Sequence, residues 1–253
     1  VKAKKSIVAA VAGLSLVFLG DTAAAINAER QLAARTREAS NLEATPATYI
    51  GGFPYLGALV TGQIPLVEVH ALDVEVPELG LVNAATVLRD VDVSTAQVWS
   101  GDFSGASAST LSRSISLDGV ALGRLLGMDD ISISNPKNIS PSGGQSAEAE
   151  LTGTIPGDET PTTVEVSLRL EGAMFYMRPD TTDQRIAEAF SYQVDTRRLP
   201  LPARATKVSM RGGTISFEVQ RREVTLRDRS LSPLEIDGHF DEAGRITGEQ
   251  EPQ

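Results

Sequence analysis

The chain reads as an α+β protein in which a curved antiparallel β-sheet, apolar on one face, follows a helical N-terminal segment. Three observations predict this. From Pro46 onward apolar and polar residues alternate with period two through most of the sequence, the mark of strands with one face buried and one wet. The links between these runs carry Gly, Pro, Asn and Asp, the residues that antiparallel turns require. From Thr22 to Leu42 the sequence is instead rich in Ala, Glu, Arg and Gln, which are good helix formers.

The alternation can be followed strand by strand. Leu72, Val74 and Val76 oppose Asp73 and Glu75, and Val91 and Val93 oppose Asp90 and Asp92. Leu111, Ile115 and Leu117 share a face opposite Ser112, Ser114 and Ser116, and Ile131 and Ile133 follow in a short run. Ala147, Ala149, Leu151 and Ile155 form one row; Val164, Val166, Leu168 and Leu170 form the next. Ile215, Phe217 and Val219 close the series, after a Gly212-Gly213 turn suited to a two-residue hairpin. Two short helices interrupt. Asp118 caps one that runs through Leu122, Leu125 and Leu126 to Gly127, and Thr181 with Gln184 forms a capping box for the other, with Ile186 and Phe190 paired on it. Gly119, Gly123 and Gly127, spaced by four, read as a local packing feature.

The N-terminus reads as an address. Lys2, Lys4 and Lys5 precede an apolar run from Ile7 to Leu19, followed by Asp21 and Ala23-Ala24-Ala25. That order describes a secretory signal peptide, with a retained membrane anchor as the alternative. Either places the body outside the cytoplasm, because the lysines stay inside. The expected division is residues 1–25 as signal or anchor, 26–45 as a helical stem with Ile26, Leu32 and Ala33 as a thin apolar stripe, 46–234 as one β-rich domain, and 235–253 as an acidic, poorly ordered tail.

Composition excludes several functions. With no cysteine among 253 residues, there are no disulfides, thiolate metal sites, thiol nucleophiles or lipoprotein anchors. A net charge of −10 repels phosphate backbones, which argues against nucleic acid as a partner. The charge is uneven, and a basic stretch between Arg197 and Arg229 reads either as solvated strand faces or as a surface for an anionic headgroup.

No catalytic constellation emerges. Of the two histidines, His70 lies in a strand-like run and His239 near the tail. The Gly-x-Ser-x-Gly elbow is absent. The carboxylate pairs Asp73/Glu75, Asp90/Asp92 and Glu148/Glu150 could share a proton or bind a metal, but each lies opposite an apolar row and reads as a solvent face. No cofactor or metal site is predicted. A one-sided sheet with only 5% aromatic residues must still cover its apolar face, by filling it with its own side chains, wrapping a helix, or enclosing a ligand in an apolar tunnel.

The segment Tyr49 to Gly62 stands apart, with its run Gly52-Phe53-Pro54-Tyr55-Leu56. On physics alone it is a glycine-rich turn with a buried aromatic pair, or an aromatic mouth to an apolar cavity. It resembles the signature of the LmeA-like phospholipid-binding family of actinobacterial envelopes. In that family a helical stem leads to a Gly-Phe-Pro-aromatic-Leu element, a glycine and a Val-rich strand, here matched by Gly52–Leu56, Gly62 and Val67–Val76. The Leu122/Leu125/Leu126 turn, Leu199-Pro200-Leu201 and the Val208–Val219 hairpin follow in the family's order, so the resemblance covers about residues 20 to 228. The acidic tail and the Tyr at the second aromatic place depart from the pattern.

The resemblance implies a tubular lipid-binding architecture of the TULIP or BPI type, in which a curved sheet wraps helix and lipid tails. It also implies a periplasmic role tied to phospholipid and to lipomannan-type glycolipid assembly. Binding of a diacyl lipid, by burial of methylenes at about 0.8 kcal/mol each, is the leading expectation. The inward candidates are Phe53, Leu56, Leu59, Leu72, Val74, Val91, Val93, Leu125, Phe175, Phe190, Leu199, Leu201, Val208 and Phe217, with Arg198, Arg204 and Lys207 for the headgroup. Two rivals stand beside it: a filled-core envelope scaffold that assists a membrane glycosyltransferase, and a lipid hydrolase built on a carboxylate pair.

Overall fold

The computed structural model describes residues 2–40, 42–76, 79–136, 143–227 and 229–234, with side chains described from Gly13 onward except Leu14. The acidic tail and His239 lie outside the described residues. The order of elements is α1 (Lys2–Ser40), β1 (Ala47–Gly51), a 3-10 turn (Tyr55–Gly57), α2 (Ala58–Thr61), β2 (Gln63–Val76), β3 (Gly80–Asp92), α3 (Thr95–Ser100) and β4 (Ser107–Leu117). Then come α4 (Gly119–Leu126), β5 (Ser132–Ser134), β6 (Gly143–Gly144), β7 (Ser146–Gly153), β8 (Thr162–Glu171) and β9 (Met174–Pro179). The last are α5 (Gln184–Ala189), β10 (Tyr192–Asp195), a 3-10 turn (Thr196–Arg198), β11 (Lys207–Arg211) and β12 (Thr214–Thr225).

The α+β class holds, but the strands form two open antiparallel sheets and not a closed barrel. One has seven strands in the order β1-β2-β3-β4-β12-β11-β6, the other five in the order β10-β9-β8-β7-β5. The chain changes sheet at Gln145, between β6 and β7, and the Gln145 carbonyl accepts a hydrogen bond from the Leu170 amide at 2.8 Å. Alternation reports which face a residue occupies and is silent on which strand it pairs with, so the sequence could not reveal this corner.

The chain divides into two compact units. Unit 1 comprises the chain up to His70, Thr86–Leu111 and Arg221–Ser232; unit 2 comprises Ala71–Ala85, Ser112–Gln220 and the chain from Pro233. Strands β2, β3, β4 and β12 each contribute to both. That interleaving is why no linker marks the division in the sequence.

In unit 1, α1 packs into the apolar side of the strands. Ala28 and Leu32 of α1 share a core with Ile50, Ile64, Val67, Val69, Leu88, Val91, Phe103 and Leu226. The buried face of α1 runs Asp21, Ala28, Leu32, Thr36 and Ser40, with Ala33 beside it, and steps of four and seven keep these residues on one side of a helix. Ile26, read from sequence as part of the stripe, is 41% exposed. Leu32 and Ala33 of that stripe are buried as read, and apart from Leu32 the inward face is made of small residues, which allow close approach. A Cβ at Gly101, the C-cap of α3, would lie 2.7 Å from the Ala28 carbonyl oxygen.

In unit 2 the inner rows of the two sheets meet. On β7 and β8, Ala147 pairs with Leu168, Ala149 with Val166 and Leu151 with Val164, all buried. Phe175 on β9 and Phe217 on β12 touch edge to face with centroids 4.8 Å apart, the geometry that ring quadrupoles favour. The Gly212-Gly213 turn has φ of 58° and 76° and sets β11 against β12 with Arg211 opposite Thr214, as the hairpin reading required. All four methionines of the chain, Met128, Met174, Met177 and Met210, belong to this unit, and all but Met174 are buried.

The helix caps agree in part with the sequence. Asp118 caps α4 by accepting from the Ala121 amide at 2.8 Å, and Gly127 ends it with φ 73°. Gly119 and Gly123 let α4 sit directly on the backbone carbonyls of Ile131 and Met128, so a Cβ at either would collide with backbone. The second helix starts later than the Thr181 capping box predicts. Asp183 caps α5 by accepting from Arg185 and Ile186 amides, and the Thr181 hydroxyl accepts from the Asp183 amide one step upstream.

Three non-glycine residues in strands have positive φ: Asp73 at 52°, Asp90 at 50° and Glu223 at 51°. At each the buried parity changes. On β3, Val82, Ala84, Thr86 and Leu88 are buried before Asp90, and Val91 after it. A residue inserted in this way is a β-bulge, which bends its strand and increases the local twist. The bulge at Asp73 corrects one sequence reading: Leu72, Val74 and Val76 do not share a face. Val76 is buried, Val74 half-buried and Leu72 67% exposed, because Ala71 holds the inward place before the bulge.

Candidate functional site

The Gly52–Leu56 element is held by α1. The Asp21 carboxylate, which follows the apolar run in sequence, is buried and accepts from the Tyr55 amide at 3.0 Å and the Leu56 amide at 2.7 Å. A carboxylate on two amide donors at the start of a helical turn satisfies groups that would otherwise have no partner. Tyr55 is buried and donates its hydroxyl to the Val98 carbonyl of α3. Glu29 of α1 holds the edge strand β1: its carboxylate accepts from the Ile50 amide at 3.0 Å, and its carbonyl accepts from the Thr48 hydroxyl at 2.9 Å. The element therefore joins the helix to the strands.

Burial pushes the Tyr55 phenol up to about 12, helped by the negative charges of Glu29 and Asp21. The folded state thus keeps the Tyr55 proton where the unfolded chain releases it. Stability from this group is full below the ordinary value of 10.0 and is lost as pH rises from there to about 12. The wild-type urea midpoint is expected to fall more steeply over that window than that of Tyr55→Phe. Equal slopes would remove the assignment.

The structure separates the sequence-predicted residues into two groups. In unit 1, Val91 and Val93 are buried in the core, and Leu56 and Leu59 pack partly against it. Phe53 does not point inward: it is 74% exposed, because it precedes the buried Tyr55 in a loop and rests on Phe18 of α1, with centroids 5.6 Å apart. In unit 2, Phe175, Phe190, Leu199, Leu201, Val208 and Phe217 are buried, Leu125 and Val74 are half-buried, and Leu72 is exposed. Val208 lies opposite Phe217 across the hairpin, which joins it to the Phe175–Phe217 contact.

The segment from Thr196 to Ala205 supplies two of these buried residues, Leu199 and Leu201. The Thr196 hydroxyl donates to the Ala173 carbonyl at 2.8 Å and accepts from the Ala205 amide at 3.1 Å. It turns Leu199 and Leu201 inward and leaves Arg198 and Arg204 exposed. Lys207 is half-buried and pairs with Glu218 at 3.1 Å across the hairpin, so its charge is already matched. Arg197 grips Asp195, and its hydrogen bonds hold that carboxyl below the usual range.

Groups considered for chemistry are engaged locally. His70 lies 3.3 Å from Glu68 on its own strand. Asp90 accepts from the Ser109 hydroxyl at 2.9 Å, Asp92 from Gln63 and Ser107, and Glu150 from Ser134. Among the described residues no three acidic or histidine side chains are grouped to hold a metal. A cleft of about 280 Å³ on the outer face of β7 and β8 is lined by Ser146, Glu148, Ser167 and Arg169, and it includes none of the predicted lipid-binding residues.

Two buried charged residues escaped the sequence reading. Asp21 carried only the sign of a charge between the apolar run and the alanines after it. Arg113 is buried in the inward row of β4 between Leu111 and Ile115. It occupied an apolar place in the alternation, and that break in pattern was its one signal.

The chain is an α+β protein of two open antiparallel sheets in which α1 holds a Gly-Phe-Pro turn. Comparison with known families assigns it a class. The model of the LmeA-like phospholipid-binding family matches residues 19–220 of the 253, and the chain belongs to that family. No curated protein and no solved structure matches it. Among the described residues no helix is long and apolar enough to cross a membrane.

Proposed function

We propose that this protein binds a diacyl phospholipid without catalysing a reaction on it, with the acyl chains received in unit 2 between its two sheets. The observation that carries this reading is membership of a phospholipid-binding family over residues 19–220. Three features of unit 2 support the location. Phe175, Phe217, Leu199 and Leu201 are buried in it. It holds every methionine of the chain, and thioether side chains repack around irregular apolar guests more readily than branched ones. Arg198 and Arg204 stand exposed on the Thr196–Ala205 segment, suitably placed for a headgroup phosphate. In this reading the bulged sheets curve in the tubular manner around helix and tails.

The same reading places the protein outside the cytoplasm, exported by its N-terminal signal or held by it at the outer face of the plasma membrane. There it serves glycolipid assembly beside an envelope glycosyltransferase. The tightly buried side chains of both cores favour a second reading, a filled scaffold that assists such an enzyme through its surface. Native mass spectrometry of the purified chain, before and after incubation with phosphatidylglycerol in mild detergent, separates the two. The expected result is a complex with one lipid, with uptake reduced in the Arg198→Glu/Arg204→Glu variant. A chain that copurifies with no lipid and takes up none is a scaffold.

A further inference from the structure

The exposed apolar side chains are not scattered. Of the twelve large hydrophobic side chains exposed among the described residues, seven belong to one end of unit 1: Leu16 to Leu19 on α1, with Phe53, Val60 and Trp99. Topology puts them together. The β1-to-β2 connection carries Phe53 and Val60, and the β3-to-β4 connection carries Trp99. In an antiparallel sheet with β1, β2, β3 and β4 in sequence order, both connections lie at the same end of the strands. There α2 packs on α3, and α1 packs on α3 and on the 3-10 turn. Asp21 pins α1 at that turn, and the Phe18 ring reaches Phe53. Val60 is 91% and Phe53 74% exposed, so neither serves the core.

We infer that this end of unit 1 docks on the surface of a phospholipid bilayer, with Phe53, Val60 and Trp99 inserted at the level of the headgroups and upper acyl chains. The occupant is identified by what is continuous with the patch. The helix that supplies Leu16 to Leu19 continues toward the N-terminus through the apolar run that begins at Ile7, with Lys2, Lys4 and Lys5 ahead of it. The apolar run leads into hydrocarbon, and apolar side chains with an amphipathic aromatic at its outer end match the headgroup level of the bilayer it enters. The inference rests on the phospholipid-binding reading above and adds the face by which the protein meets its lipid source.

Trp99 is the one tryptophan, so its emission reports this site alone. The full chain is mixed with vesicles of equimolar phosphatidylcholine and phosphatidylglycerol, with and without bromine on the upper acyl chain. Flotation, a blue shift of Trp99 and quenching by brominated lipid are expected. Phe53→Asp/Val60→Asp should weaken vesicle partition roughly tenfold or more, yet take up detergent-dispersed phosphatidylglycerol like wild type in the native mass measurement. Flotation with Trp99 neither shifted nor quenched would mean that α1 alone holds the protein, and overturns the inference. So would a lipid-free dimer that the double substitution abolishes, since the patch would then belong to a second copy. Loss of lipid uptake in wild type overturns the function; failure of flotation with uptake intact overturns only the docking.

Discussion

Gly101→Ala is expected to destabilise unit 1 by about 2–5 kcal/mol, the sum of a left-handed backbone penalty and an overpacking penalty. Gly101 ends α3 with φ 62°, and its amide donates to the Gln97 carbonyl at 2.9 Å. A methyl group there meets the Ala28 backbone of α1, with the oxygen at 2.7 Å and the Cα at 3.1 Å. Backbone cannot rotate away as the end of a side chain can, so α1 must shift or α3 must unwind. Gly105, with φ 80° and open space around it, is the control: alanine there carries only the backbone cost of about 1–2 kcal/mol. Urea midpoints followed by Trp99 fluorescence measure both. Equal losses at the two glycines would show that the approach of α1 to α3 contributes nothing.

Phe217→Ala is expected to cost unit 2 about 3–5 kcal/mol, the range for emptying a buried aromatic site. Phe217 is fully buried against Phe175 and opposite Val208. This variant also bears on function. If acyl chains occupy that interior, saturating phosphatidylglycerol should return part of the loss, because a guest that binds only the folded state stabilises it by mass action. Denaturant titration with and without lipid gives both numbers. A full loss that lipid does not relieve would favour the filled scaffold.

Much of this fold is legible in the sequence because alternation directly reports burial. The rows Ala147–Leu151, Val164–Leu168 and Ile215–Val219 are inward as read. So are Asp118 and Gly127 as the caps of α4 and Gly212-Gly213 as a hairpin turn. What failed did so for physical reasons. Asp73 shifts the phase of β2, so a rule of period two carried past it misplaced Leu72. Apart from Leu32, which was read as inward, the packed face of α1 consists of alanines and small polar groups, whose value lies in close approach and not in hydrophobicity. Among the candidate residues, the burial of those with a long apolar neighbourhood in sequence, such as Phe175 and Phe217, was legible. Phe53 was not, since an aromatic beside a proline turn gives no sign of whether it faces a core or a surface.

The confinement of all four methionines to unit 2 has a chemical consequence. Peroxide turns a thioether into a sulfoxide, a polar and chiral group that no longer fits among hydrocarbon side chains. Such damage would fall wholly on one half of the molecule and leave the other chemically untouched. Because sulfoxides are enzymatically reducible, the lesion would be erasable, and a mass increment on the methionine peptides would record how often that half had opened to the oxidant.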